Sequence, residues 1–249
     1  PPGETLAKPL ATVRLHQAEL AERMGRPLKT IHEIVAGKAA ITSDTALQLE
    51  KVLGVPASFW TNHERIYRDT LARQRETDEL GRQLDWLKTM PIREMVRARW
   101  LVAAEDPVAQ LRAVLSFFGV AGVEEWRSLW DSPDAIFRKS PAFTANRPAT
   151  AAWLRQGEIE AQKIDCAPFA ETRFMEALGQ LRGCTTQDPD EFVPALKNLC
   201  SAAGVAVVIV PPLPGVRGYG ATRGLHPPKA RIQRGLPGTP REPRRLPFF

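Results

Sequence analysis

"HQAELAERMGRPLKTIHEIVAGKAAIT", His16 to Thr42, decides the fold of the first third of the chain. Gln17 opens a helix in which Leu20 and Met24, four apart, share one face. Ala21 beside them is small enough to let another helix cross closely. Gly25 stands where the chain must reverse, a position suited to a residue free to take positive φ. Pro27 then starts a second helix, Ile31 and Ile34 bury its inner face, and Gly37 ends it. Helix, glycine turn and a second helix crossing the first make a helix-turn-helix arrangement.

An αα-hairpin with a glycine turn is common in helical proteins, where it speaks only of packing. Here the order Gln–x–x–Leu–Ala–x–x–x–Gly–x5–Ile–x–x–Ile–x–x–Gly is complete from Gln17 to Gly37, and that favours a DNA-reading hairpin. The outward positions of the second helix are Leu28, Lys29, His32 and Glu33, with Thr30 nearer its flank. In a major groove Lys29 donates to guanine O6/N7 or a phosphate, Glu33 accepts from cytosine N4, and Leu28 touches a thymine methyl. Gln17, at the start of the first helix, is placed to bond a phosphate. Arg26 in the turn and Lys38 beyond the second helix complete the DNA-binding candidates.

Working outward, Thr42 or Ser43 caps a fourth helix whose Ala46, Leu47, Leu49 and Leu53 are expected to face inward. A fifth helix starts at Pro56, with Phe59 and Trp60 expected to close the small core. Its later face, Ile66 with Tyr67 and Leu71, is the candidate dimer surface.

These residues resemble the lambda-repressor-like (XRE) helix-turn-helix family. More narrowly, "PGETLAKPL", "QAELAERMGRPLKTIHEIVAGKAAIT", "TALQLEKVLGVPASFW" and "HERIYRDTLAR" together resemble the HigA-type antitoxin regulators over residues 1–75. The resemblance implies a five-helix DNA-binding domain that dimerises, binds a palindromic operator in double-stranded DNA and represses its own promoter. It also implies a toxin protein as a further partner. One departure is His16, where the family commonly has Ser or Thr before the Gln; a weaker helix cap is the expected consequence.

Net charge, +6 overall, looks like a nucleic-acid signature until it is located. From Arg217 to the end there are eight Lys or Arg and one acid, so the preceding 216 residues carry a net charge of −1. The basicity of the whole chain therefore says nothing about whether its body binds DNA. No run is apolar for long enough to span a bilayer, no secretory signal pattern opens the chain, and the expected location is the cytoplasm. Cys166, Cys184 and Cys200 form no CxxC pair and read as buried, unreactive thiols.

Beyond residue 75, the region 76–190 reads as further helices, with Asp106-Pro107 and Asp188-Pro189 as start signals and Gly119 as a stop. Trp126, Trp130 and Trp153 are expected in its core. From 191 to 233 the pattern shifts to an α+β segment. "VAVVIVPPL", Val205 to Leu213, reads as a buried strand, and "GYGATR" and "KARIQ" as two shorter ones. The fold class is thus mainly α, with a small incomplete α+β part and a basic Pro/Arg-rich tail at 234–249.

"ALKNLCSAAGVAVVIVPPLPGVRGYGATR" resembles the start of an ImmA/IrrE-type metallopeptidase domain, with "LRAVLSFFGV", "EEWRSLW" and "AIFRKSPAF" resembling its connecting helices. Such a peptidase needs H-E-x-x-H on a helix, two His holding zinc and a Glu acting as base. The four histidines, His16, His32, His63 and His226, include no pair four apart, and His226 in "GLHPPK" reads as an exposed loop residue. No metal, no cofactor and no peptidase activity are expected. The final "RIQRGLPGTPREPRRLPFF" stands where the metal helix should follow and reads as an out-of-register or truncated end, just as the opening Pro-Pro-Gly reads as a trimmed start. A DNA-binding repressor is the leading function. A degenerate regulator–peptidase fusion, and a module whose residues 76–190 hold a partner, rank below it.

Overall fold

Helix α2 (Gln17–Met24) stops because Gly25 adopts φ +63°, a left-handed conformation that lets its N–H and that of Arg26 return to the carbonyls of Glu22 and Ala21. The chain turns there into α3 (Leu28–Val35). The computed structural model describes residues 2–12, 15–131, 146–183, 188–216, 220–226 and 229–235, with the backbone alone at 7–9, 11–12, 131, 189 and 222–226. The chain divides into two units, Pro1–Glu79 and Leu80–Phe249. It is mainly α, with one small three-stranded sheet.

In the first unit α2 and α3 are joined by α1 (Pro2–Thr12), α4 (Ser43–Leu53) and α5 (Ala57–Gly81), the last extending two residues past the boundary. The core is Leu6, Leu10, Leu15, Leu20, Ala21, Met24, Ile31, Ile34, Ile41, Ala46, Leu49 and Trp60, each less than one-tenth exposed. Trp60 is fully buried and its indole N–H donates to the Val55 carbonyl at 3.2 Å. Thr5 and His63 meet side chain to side chain at 2.7 Å, tying α1 to α5.

Two core expectations from the sequence are corrected. Leu47 is 50% exposed: on α4 the buried residues Thr45, Ala46 and Leu49 define a face, and Leu47 points away from it. Phe59 is 44% exposed; Trp60 alone enters the core, while Phe59 lies flat against His63 with ring centroids 5.8 Å apart. Helix α5 begins at Ala57, one residue after Pro56.

The second unit begins with the short helices α6 (Leu84–Leu87) and α7 (Ile92–Arg97). Helix α8 (Pro107–Phe118) starts on Asp106, whose carboxylate accepts the Ala109 N–H at 2.8 Å, and ends at Gly119 with φ +67°. Helix α9 (Val123–Trp126) continues as a π-turn over Arg127–Asp131. Then come α10 (Arg147–Gln162), α11 (Glu171–Gly183) and α12 (Pro189–Ala202), the last capped by the Asp188 carboxylate. Trp126, Trp130 and Trp153 are all core residues.

The strands are β1 (Val205–Ile209), β2 (Gly220–His226) and β3 (Lys229–Arg234), in the order β1-β3-β2, with β1 and β3 parallel and β2 antiparallel to β3. His226 is therefore the last residue of a strand, not of a loop, because it pairs with Lys229. Period-two alternation sends Ala206 and Val208 into the core under α10, while Val205 and Val207 join Leu181, Phe192, Leu196 and Cys200 on the other face. The core under α10 holds residues from both sides of position 190, where composition changes in the sequence.

β3 clasps α10 through polar side chains. Gln233 donates to the Trp153 carbonyl and Arg231 to the Leu154 carbonyl, both at 2.7 Å, and Lys229 caps the carbonyls of Ala161 and Ile164 near the helix end. Gly157 permits the approach: a Cβ there would stand 1.9 Å from Gln233 Oε1. Burial pushes the Cys200 thiol up to about 11 and raises that of Cys166, so neither is a ready thiolate at neutral pH. Cys184, "AIFRKSPAF" and residues 236–249 lie outside the described residues, as does the His226 side chain.

The close contact makes Gly157→Ala destabilising by about 1–3 kcal/mol, and Gln233→Ala in the same chain should recover part of the loss. Thermal unfolding followed by circular dichroism measures both; a Gly157→Ala chain that melts with the parent would refute this packing.

Candidate nucleic-acid interface

Helix α3 has eight residues, too few to persist alone in water. Its stability comes from burying Ile31 and Ile34, 1% and 3% exposed, against Leu20, Ala21 and Met24 of α2 and the rest of the first core. Once those residues are committed inward, the helical period dictates what points outward. Leu28, Lys29 and His32 are exposed, Glu33 is half-buried, and Thr30 is half-buried at the flank. The outer face of α3 thus presents one apolar side chain, one cation, one imidazole and one carboxylate.

Two of these are not independent. Lys29 Nζ lies 3.9 Å from Glu33 Oε1, one turn apart, with side chains 85% and 41% exposed. Such a pair in water is worth only a few tenths of a kcal/mol, so either partner can leave it for a base edge at little cost.

The remaining candidates surround this face. Gln17 is half-buried at the first position of α2, preceded by His16 in extended conformation with no side-chain cap bond. Helix α4 shows the contrast, for Thr42 accepts the Thr45 N–H at 3.3 Å. Lys38 is exposed between α3 and α4, its backbone N–H bonded to the Glu33 carbonyl at 2.8 Å. Arg26, half-buried in the turn, is committed differently: its Nε–H donates to Gln48 Oε1 on α4 at 2.6 Å. Sequence reasoning missed Gln48, because no periodicity links residues 22 positions apart. The Lys29–Glu33 contact, by contrast, is legible in the four-residue spacing.

The electrostatic setting is nearly neutral. Residues 1–79 carry eleven Lys or Arg against eleven Asp or Glu. On α2, Arg23 is held by Glu19 at 2.6 Å; Lys29 lies on α3 itself, with Arg26 and Lys38 in the segments that flank it.

An uncapped α2 has room for improvement. His16→Ser should raise the unfolding free energy of the first unit by about 0.5–2 kcal/mol, by supplying an acceptor for an N–H of the first turn. Urea titration monitored by circular dichroism measures it, and a stability unchanged from the parent would show that water caps this helix as well as a side chain does.

A model of the helix-turn-helix family matches residues 13–60. Among solved structures, an addiction module antidote protein of the HigA family from Coxiella burnetii is similar at 30% identity, over 32% of this chain and 89% of that one, with a TM-score of 0.30. An antidote protein of a plasmid maintenance system from Nostoc punctiforme is similar at 30% identity, over 31% of this chain and 89% of that one, with a TM-score of 0.28. No curated protein matches the chain. The matched span encloses α2, the Gly25 turn, α3 and α4, and the chain therefore carries a helix-turn-helix domain of that family at residues 13–60.

Proposed function

We propose that the chain is a sequence-specific DNA-binding regulator of the HigA antitoxin type, which represses its own promoter by binding a palindromic operator as a homodimer. The observation that carries this reading is the outer face of α3, whose Leu28, Lys29 and His32 take no part in the core that holds the helix in place. The antitoxin type rests on the resemblance of residues 1–75 to those regulators, and a toxin protein is the further partner it implies.

In this reading α3 enters the major groove. Lys29 donates to guanine or to a phosphate, Glu33 accepts from cytosine once released from Lys29, and Leu28 packs on a thymine methyl. His32 supplies a further polar contact, and Thr30 lines the flank. Gln17, Arg26 and Lys38 bond phosphates and set the register of the domain on the duplex. Dimerisation uses the α5 face that carries Ile66, 49% exposed, with Tyr67 and Leu71 beside it. A two-fold pair of recognition helices then meets half-sites about one helical turn, roughly 34 Å, apart. The role is one of binding, exercised in the cytoplasm, with no cofactor and no catalytic step.

Fluorescence anisotropy of the full chain against DNA from its own promoter tests this, with random DNA and a salt series alongside. Promoter DNA should bind at least about a thousandfold tighter than random DNA. Equal affinity for both at every salt concentration would sink the reading. Arg26, Lys29 and Lys38 on each protomer should contribute about −5 to the slope of log K against log salt, with any further steepness supplied by the basic residues from Arg217 onward.

Lys29→Ala separates base reading from general attraction. It should cost about 1–3 kcal/mol on the promoter site and much less on random DNA, with the fold unchanged. A mutant that binds the promoter as the parent does at matched salt would show that α3 does not lie in the groove as described.

A further inference from the structure

Arg26 occupies the turn immediately before the recognition helix, yet its hydrogen bond goes to α4. Its Nε–H donates to Gln48 Oε1 at 2.6 Å in partly buried surroundings. Helix α4 does not need that bond to stay in place. Thr45, Ala46 and Leu49 are at most 1% exposed, and Thr42 caps the helix. The bond fixes the arginine more than it fixes the helix.

A guanidinium carries five N–H donors in one plane, one on Nε and four on the two Nη atoms. With Nε–H given to Gln48, the Arg26 side chain makes no other hydrogen bond or ion pair among the described residues. The edge formed by the two Nη atoms is left over, and that edge matches two phosphate oxygens in a parallel, bidentate geometry. A free arginine would lose much rotamer freedom on taking that geometry. Here the neighbouring helix has already restricted it.

We propose that Gln48 is a positioning residue for DNA binding: by accepting the Arg26 Nε–H it holds the guanidinium beside the start of α3 with its Nη edge turned to a single phosphate. The inference rests on the DNA-binding reading above and adds to it a residue of α4 that touches no DNA itself. It also predicts that lysine cannot replace arginine at position 26. A lysine ammonium retains the charge but cannot bond Gln48 through one nitrogen and chelate a phosphate through two others.

The test uses the full chain, promoter duplex and anisotropy over a salt series, on the parent and on Arg26→Ala, Arg26→Lys, Gln48→Met, Gln48→Glu and the Arg26→Ala/Gln48→Met pair. Arg26→Ala should weaken promoter binding and flatten the salt dependence by about one unit per protomer. Gln48→Met, which keeps shape and loses the acceptor, should weaken binding roughly three- to tenfold, and should add nothing once Arg26 is alanine. Gln48→Glu keeps an acceptor oxygen and should retain most of the affinity. Nitrogen-15 NMR of the free protein supplies an independent readout: the Arg26 Nε–H should be sharp in the parent and exchange-broadened in Gln48→Met.

Parental affinity in Gln48→Met alongside a weakened Arg26→Ala would overturn the positioning role while leaving the DNA-binding reading intact. So would an equal loss from Gln48→Met on the arginine and alanine backgrounds. Should Gln48→Met fail to fold, Arg26→Lys decides the point, since parental affinity there would show that charge alone suffices. A parent that shows no preference for promoter DNA removes the DNA-binding reading and the positioning role with it.

Discussion

Everything proposed for the first unit depends on the burial of Ile31 and Ile34 beneath α3. An eight-residue helix has no lasting existence by propensity, so its position and rotation are set by what its inner face packs against. Leu20, Ala21 and Met24 supply that surface, and the left-handed Gly25 sets the angle at which the two helices meet. The consequence is a separation of tasks. The core fixes the helix through two isoleucines, and the outward residues are released from structural duty. The outward side chains can then vary without loss of the fold.

The second unit solves its packing by other means. One face of β1 and β3 carries ordinary apolar residues, Val205, Val207 and Ile232, into a small core with α12. The opposite face of β3 carries Lys229, Arg231 and Gln233 against α10, and each donates to a helix carbonyl. Burying such groups is costly unless each finds a partner, and a helix backbone offers acceptors at fixed spacing along its length. Gly157 is what brings α10 near enough, so the sheet's register along the helix is held by hydrogen bonds as well as by shape. Directional bonds of this kind specify one arrangement where an apolar face would tolerate several.

Much of this was legible in the sequence, for identifiable reasons. The hairpin was readable because its signals are local: a glycine at the reversal, apolar residues three or four apart, a proline at the second start. Asp106 and Asp188 were readable as caps for the same reason. Leu47 and Phe59 misled because adjacent apolar residues in a helix were both assigned inward, although they lie about 100° apart around the axis, and only Ala46 and Trp60 of each pair could enter the core. The strand register, the β3–α10 clasp and the Arg26–Gln48 bond depend on residues distant in sequence. Pattern reading has no access to such pairs until the chain is folded.

The near-neutral charge of residues 1–79 bears on how such a domain would discriminate. Counterion release on phosphate contact supplies affinity for any DNA, so a strongly basic domain gains non-specific and specific binding together. A domain with eleven positive and eleven negative side chains gains little of the first. On the proposed reading, its preference for one sequence would rest on base contacts from α3 and on phosphate contacts whose geometry is set in advance. In that regime one well-oriented guanidinium counts for more than several mobile lysines, because orientation restricts the register on the duplex while bare charge does not. The net charge of +7 from Arg217 onward would act on the other term: bare charge attracts all DNA alike and does not by itself favour one sequence. Selectivity, on this physical account, belongs to the neutral part of the chain.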